Sequence, residues 1–340
     1  MPSMIQDLLN PRNLPDPTKK VDLVQTHISW VFMAESFVYK IKKPVNFGFL
    51  DFSTLTKRKH YCQKEIELNT RLCDDIYIGL LNVTYDGKRF RLEAHPSAEV
   101  MDYAVKMRRI PEGGLMKNLF REGKLTSLHM ERLADVLADF HARTERSPEI
   151  DVFGRPERFK INTDENFAQV ESYVGLSIDK SVLNTIKTWT ETFYERRGEI
   201  FFQRITDGKV CDGHGDLHME HICFEGGKIS IFDCIEFNDR FRYADQVADI
   251  SFLIMDLEFR GGRDYARTLW QRYKQSAREG DVEDLLTFYK VYRAFVRGKV
   301  NSFQLDDPNM GAREKEEALR LAKEYFALAL RYIKESGTRG

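Results

Sequence analysis

The chain has 340 residues, 42% hydrophobic and 31% charged, a balance that suits a folded protein of about two domains. Its 52 Lys and Arg against 53 Asp and Glu leave a formal net charge of −1, so no global field draws it to nucleic acid or to an anionic membrane. No apolar run approaches the roughly 18 residues of a bilayer span, and the first twenty residues lack the apolar stretch of a signal peptide. The five cysteines include no C-x-x-C pair, which predicts reduced thiols and a cytoplasmic location.

After a Pro-rich lead-in, residues 21–42 are dense in β-branched and aromatic side chains with a polar break at Glu35-Ser36, which predicts two or three antiparallel strands. Residues 53–72 change to helical spacing behind a Ser/Thr start. Strand patterns return at 78–94, with an Asp86-Gly87 turn signal, and at 101–110. Pro111, Gly113 and Gly114 then punctuate the chain. From there to about Gly208 the pattern is mainly helical, notably at 117–125, 127–145, 164–175 and 181–205. An isolated hairpin follows at 222–233 around Gly226-Gly227, and the C-terminal third is helical again, ending in a charged amphipathic helix over 313–336. The expected fold is α+β and bilobal: a β-rich N-lobe over 1–110 and a mainly helical C-lobe over 111–340.

Chemistry concentrates between Cys211 and Glu236. Asp216 lies in a His-Gly-Asp loop that leads into the hairpin, and Asp233 ends the hairpin's second strand. The reversal is expected to turn the two carboxylates toward one cleft. Phosphoryl transfer uses such a pair, one to orient the attacking hydroxyl and one to hold the metal that bridges the nucleotide phosphates. Three histidines spaced H-x-x-x-H-x-x-H (His214, His218, His221) offer a rival zinc site if that stretch is helical, although Gly213 and Gly215 favour a loop.

The segments HISWVF, FVYKIKKPVNFGFLDFSTL, HGDLHMEH and FDCIEF resemble the aminoglycoside phosphotransferase family of the protein-kinase-like fold, and more narrowly a bacterial phosphotransferase-like subfamily. Some members of that subfamily carry a further P-loop ATPase domain. This chain has no G-x-x-x-x-G-K-[ST], so the resemblance concerns the kinase-like half, with a functional link to such an ATPase expected. The resemblance implies ATP as donor, Mg²⁺ or Mn²⁺ as the metal, and a small-molecule hydroxyl as acceptor. Strand alternation puts Val38 and Lys40 on one face, so Val38 is expected to pack on the adenine and Lys40 to reach the phosphates, with Lys42 as the substitute. Glu65, rather than Glu67, is expected to hold that lysine. Asp216 is the implied hydroxyl-orienting group, His214 its brace, and Asp233 the metal ligand, assisted by Glu236 or by His221, which stands where the family has Asn. Imidazole suits Mn²⁺ or Zn²⁺ better than Mg²⁺. No G-x-G-x-x-G covers the phosphates, and the turn Gln25–Ser29, with the Ser29 hydroxyl, is the expected stand-in. Backbone groups around Lys106 to Arg108, Met107 among them, are expected to meet the adenine edge. Arg293 and Arg297 share a helix face that could serve an anionic acceptor or pair with structural acids. His221 and the missing glycines also admit a nucleotide-binding regulatory module or pseudokinase, and a protein Ser/Thr kinase shares the same chemistry.

Overall fold

The computed structural model describes residues 3–93, 98–308 and 310–337. The chain separates into two compact units, one made of 1–124 and 220–239, the other of 125–219 and 240–340. This partition departs from the expected boundary at residue 110 in two respects. The segment after the last N-terminal strand stays with the sheet, and so does the hairpin.

The first unit is built on a six-stranded antiparallel sheet. Its strands are β1 (Asp22–Gln25), β2 (Ser29–Met33), β3 (Phe37–Lys42), β4 (Tyr77–Tyr85), β5 (Phe90–Leu92) and β6 (Glu99–Arg108), ordered β1-β2-β3-β6-β4-β5. The β4–β5 turn forms where expected, with Asp86 Oδ1 accepting the N–H groups of Lys88 and Arg89 at 2.9 Å each. The final residue of the predicted 78–94 run, Ala94, lies outside the described residues.

One face of the sheet buries Phe32, Tyr39, Ile41, Leu81, Val83 and Ala104. Leu8 and Leu14 from the N-terminal segment cover it, so the Pro-rich lead-in is a packed element with a short helix, Met4–Leu8. Helix α1 (Leu55–Thr70) starts at Thr54, whose hydroxyl accepts the Lys57 N–H, and buries Cys62 in a cluster with Ile76, Tyr77 and Val105. Arg58 ties α1 to β6 through Nε bonds of 2.8 and 3.0 Å to the Asp102 carboxylate. The hairpin strands β7 (Ile222–Glu225) and β8 (Lys228–Ile231) pair in full register around Gly226-Gly227, and Cys223 bridges to Leu115.

The second unit is helical: α2 (Ser127–Arg143), α3 (Pro156–Val170), α4 (Lys180–Arg197), α5 (Gln246–Phe259), α6 (Arg263–Ser276), α7 (Glu283–Phe303) and α8 (Ala312–Gly337). Helix α3 begins eight residues before the predicted 164–175 segment, at a proline whose fixed φ suits a first helical position. The predicted 181–205 helix is two helices joined at Gly198. Every residue of α5 from Gln246 to Leu257 is buried, so this helix is wrapped on all sides. Val210–Asp212 pairs antiparallel with Tyr243–Asp245, a two-stranded piece with no clear signal in the sequence. Among the described residues no helix is long and apolar enough to cross a membrane.

Candidate functional site

In the first unit the alternation of β3 sends Tyr39 and Ile41 into the core and Lys40 and Lys42 to the opposite face, toward α1. There Glu65 is fully buried and gives one carboxylate oxygen to each lysine: Lys40 Nζ lies 2.8 Å from Oε1 and Lys42 Nζ 2.7 Å from Oε2. Glu67 is exposed on the other side of the helix. Lys40 also reaches Asp233 Oδ1 at 2.7 Å, and Lys42 hydrogen-bonds Glu236. The two lysines are thereby distinguished. Lys42 is sealed, with Phe52 4.8 Å below its ammonium, whereas Lys40 keeps 14% of its side chain open beside an Asp233 that is 42% open.

Burial opposes the charge on Lys40, but Asp233 and Glu65 outweigh it and hold its pKa well above the ordinary value. Burial likewise pushes Glu65 up, and the two lysines more than reverse this, so it stays ionised. At Glu236 burial wins over Lys42 and Lys40, and its pKa is raised. Two carboxylates sharing two lysines in a dry site are not equivalent.

Asp233 has φ of 62°, a left-handed conformation uncommon outside glycine. Neighbours hold it there. Its N–H donates to the Tyr77 hydroxyl at 3.2 Å, and the next N–H, of Cys234, donates to Asn69 Oδ1 at 2.9 Å. Asn69 in turn donates from Nδ2 to the Glu65 carbonyl at 2.7 Å, so one amide couples the lysine-holding helix to the end of the hairpin. Asp233 Oδ2 lies 3.5 Å from His221 Nε2. An open carboxylate with an adjacent imidazole is a donor set that a divalent cation can use, the carboxylate suiting Mg²⁺ and the imidazole suiting Mn²⁺ better. Glu236 is placed elsewhere: its carboxylate is engaged by Lys42 and buried, which removes it from the expected metal set.

Two further expectations for this unit fall on backbone that already makes hydrogen bonds. Met107 and Arg108 lie inside β6, a central strand paired on both edges, and the Arg108 N–H donates to the Ile76 carbonyl at 2.8 Å. Met107 and the Arg108 N–H are therefore engaged by the sheet, and the Arg108 side chain pairs with Asp75 and Glu225. The turn before β2 is closed on itself: Thr26 Oγ1 accepts the N–H groups of Ile28 and Ser29. The Ser29 hydroxyl is buried with no hydrogen-bond partner among the described residues.

In the second unit Asp216 stands in a loop pinned from below. Asp249, on α5, accepts two consecutive N–H groups, from His214 at 2.7 Å and Gly215 at 2.8 Å. His141 Nε2, 3.1 Å away, supports the same carboxylate, and the other ring nitrogen, Nδ1, lies 2.7 Å from the Tyr273 hydroxyl. Burial works against the Asp249 charge, but these bonds and the nearby imidazoles hold its pKa far below the carboxylate range. The loop glycines follow from this geometry. A Cβ on Gly213 would sit 2.8 Å from Asp249 Oδ2, and Gly215 has φ of 85°. His214 is fully buried and its Nδ1 accepts the Asp216 N–H at 3.2 Å. Asp216 Oδ2 is 3.5 Å from His218 Nε2, with part of the carboxylate open to solvent.

His214 to His218 is a loop rather than a helix, so His214 and His218 share no helix face. Sequence reasoning missed Asn69, Tyr77 and His141. Each acts across long sequence separations that no local pattern records.

No model of a known protein family matches the chain. Its fold, however, is the protein-kinase-like fold of small-molecule kinases, as the aminoglycoside phosphotransferase resemblance implied. A choline kinase from Cryptosporidium parvum Iowa II superposes with a TM-score of 0.59 at 11% identity, covering 97% of this chain and 95% of that one. An amicoumacin kinase in complex with AMP-PNP, Ca²⁺ and Ami gives 0.53 at 16% identity, over 94% of this chain and 89% of that one. A choline/ethanolamine kinase family protein from Mesorhizobium loti gives 0.51 at 13%, over 94% and 93%. By sequence the chain is 30% identical over 321 residues to uncharacterised proteins of Mycobacterium tuberculosis and Mycobacterium bovis. The match covers 94% of this chain but 61% of the length of those relatives.

Proposed function

We propose that the protein transfers the γ-phosphoryl group of ATP to a hydroxyl group of a small molecule. The observation that carries this reading is Lys40, fixed between buried Glu65 and open Asp233 on the polar face of a kinase-like sheet. Lys40 addresses the nucleotide phosphates, and Val38, on the same face of β3, packs against the base. The adenine edge falls to the backbone after β6, at the Arg109 carbonyl and the Ile110 N–H. Asp233 and His221 would hold Mg²⁺ or Mn²⁺, which supplies charge neutralisation of the phosphates when bound. Asp216, presented by its pinned loop, orients the acceptor hydroxyl and takes its proton. Positioning and electrostatics carry most of the rate in such chemistry. All five cysteines are buried and free, in keeping with a reducing, cytoplasmic setting.

The test is ADP formation and ATP binding with Mg²⁺ or Mn²⁺ across a panel of hydroxyl compounds. Asp216→Asn is expected to keep nucleotide binding and lower transfer by about 10²- to 10⁴-fold. Lys40→Met and Asp233→Asn are expected to weaken nucleotide binding as well. ATP bound but never consumed would favour a regulatory module, and ATP not bound at all would refute the reading.

A further inference from the structure

Helix α7 carries two arginines one turn apart, and their surroundings differ. Arg293 is buried with its donors already used, Nη1 on the Gly215 carbonyl at 3.0 Å and Nε on the Ala248 carbonyl at 3.2 Å. It clamps the loop that presents Asp216. Arg297 is only partly buried, with its guanidinium 5.6 Å from the centroid of the Tyr325 ring. Tyr325 is buried and stacked on Phe259 at 3.8 Å, so this flank of Arg297 is set by packing.

Burial opposes the Arg297 charge, while Tyr325, whose hydroxyl also hydrogen-bonds the guanidinium, and the more remote Asp216 and Asp256 favour it. Neither acid forms an ion pair with Arg297 among the described residues. Asp256 gives Oδ1 to Arg260 at 3.1 Å and Oδ2 to the Met219 N–H at 3.0 Å, and Asp216 Oδ2 faces His218. A guanidinium has five N–H donors in a rigid fork that matches a carboxylate or phosphate two bonds at a time. Such a group, partly withdrawn from water, within electrostatic range of the candidate base and without its own counter-ion, is suited to an incoming anion. A cationic acceptor would instead meet like charge at that point.

We propose that the acceptor is an anionic hydroxyl compound whose carboxylate or phosphate is bound by Arg297, which thereby presents the hydroxyl to Asp216. The inference rests on the phosphotransferase reading and names its substrate class. In the step, the acceptor oxygen bonds to the γ-phosphorus while the bond from that phosphorus to the β,γ-bridging oxygen breaks. ADP leaves with the electron pair, and the hydroxyl proton passes to Asp216.

The experiment measures binding to the full chain, by calorimetry, of D-glycerate, glycerol 3-phosphate, glycerol and choline, followed by ADP formation with each. At least one anion is expected to bind tenfold or more tightly than glycerol or choline, and which one does so separates a carboxylate site from a phosphate site. Arg297→Gln is expected to abolish that preference, raising KM more than it lowers kcat. Lys40→Met is expected to keep the preference, which excludes binding at the nucleotide phosphates. Arg297→Lys retains the charge without the fork; it should lose part of the preference, and it serves if the Gln variant does not fold. Equal affinity for choline or glycerol, or an unchanged preference in both Arg297 variants, overturns the proposal. So does a loss of turnover that is the same for neutral and anionic acceptors, since Arg297 would then act only on Asp216. Absence of ADP with every compound overturns the phosphotransferase reading, and with it the acceptor role, whereas Arg297-dependent anion binding is read separately by calorimetry.

Discussion

Lys299 on α7 is a charge whose neighbours only partly support it. Its ammonium donates to two neutral oxygens, Asn166 Oδ1 at 2.6 Å and Gln169 Oε1 at 2.8 Å. Burial pushes its pKa down to about 8; Glu165 resists this, but Arg240 works against the charge and already holds both oxygens of Glu165 at 2.8 and 2.6 Å. Because the folded value lies below the unfolded value of 10.5, the native state holds fewer protons than the unfolded state between about pH 8 and 10.5. Stability therefore rises with pH across that window, by about 3 kcal/mol in full. Lys299→Met has no group to titrate there. The unfolding free energy of the natural protein, measured in urea against that variant, is expected to gain most of this difference between pH 7 and pH 10; a gap that does not change with pH would refute the assignment. Lys299 could not be singled out in the sequence, because its state depends on α3 residues about 130 positions away. Lys40 could, because the family resemblance points to it and strand alternation puts it, like Lys42, on the face opposite Tyr39.

Elements are held to one another here by a few buried polar ties as well as by apolar contact. Arg58 on α1 is the clearest case: it gives both Asp102 oxygens a bond from Nε and a third bond, from Nη1 at 3.1 Å, to the Phe52 carbonyl. Burial raises the Asp102 pKa even against the opposing pull of Arg58, so the carboxylate depends on its partner. Arg58→Met is expected to cost about 3–5 kcal/mol in chemical denaturation, since it strands a buried charge. The Arg58→Met, Asp102→Leu double variant is expected to recover most of that loss, which separates charge stranding from loss of packing. Periodicity made the strands of 21–42, the Thr54-capped helix and the 313–336 helix legible, because each carries its own face and its own boundary signal. It failed where the boundary is tertiary. Met107 and Arg108 looked like a joint because Pro111 follows, yet pairing with both β3 and β4 keeps the strand running through Arg108. The N-terminal segment looked like a lead-in because its apolar residues, Leu8 and Leu14, fit no period until the face of Phe32 and Tyr39 is there to receive them.

For the molecule as a whole, chain order and unit membership disagree. The chain leaves the sheet unit after residue 124, returns for 220–239, and leaves again. The returning piece completes a charge balance that the first 124 residues leave open, because Lys40 meets Asp233 across 193 positions and Lys42 meets Glu236 across 194. Without the hairpin, Lys40 and Lys42 share Glu65 alone, so two ammonium groups in a dry site face one carboxylate. An uncompensated buried charge costs about 3–5 kcal/mol, a large share of the 5–15 kcal/mol that holds a typical domain together. A fragment of residues 1–124 is accordingly expected to lack cooperative unfolding. The same fragment joined through a short Gly/Ser linker to residues 220–239 is expected to regain it, and Glu236→Ala in the fusion is expected to abolish it again. Near-ultraviolet circular dichroism through a urea titration distinguishes these outcomes. A sharp transition for 1–124 alone would show that the apolar faces around Phe32 and Cys62 suffice, and that the returning hairpin serves the chemistry of Asp233 without being needed to fold the sheet.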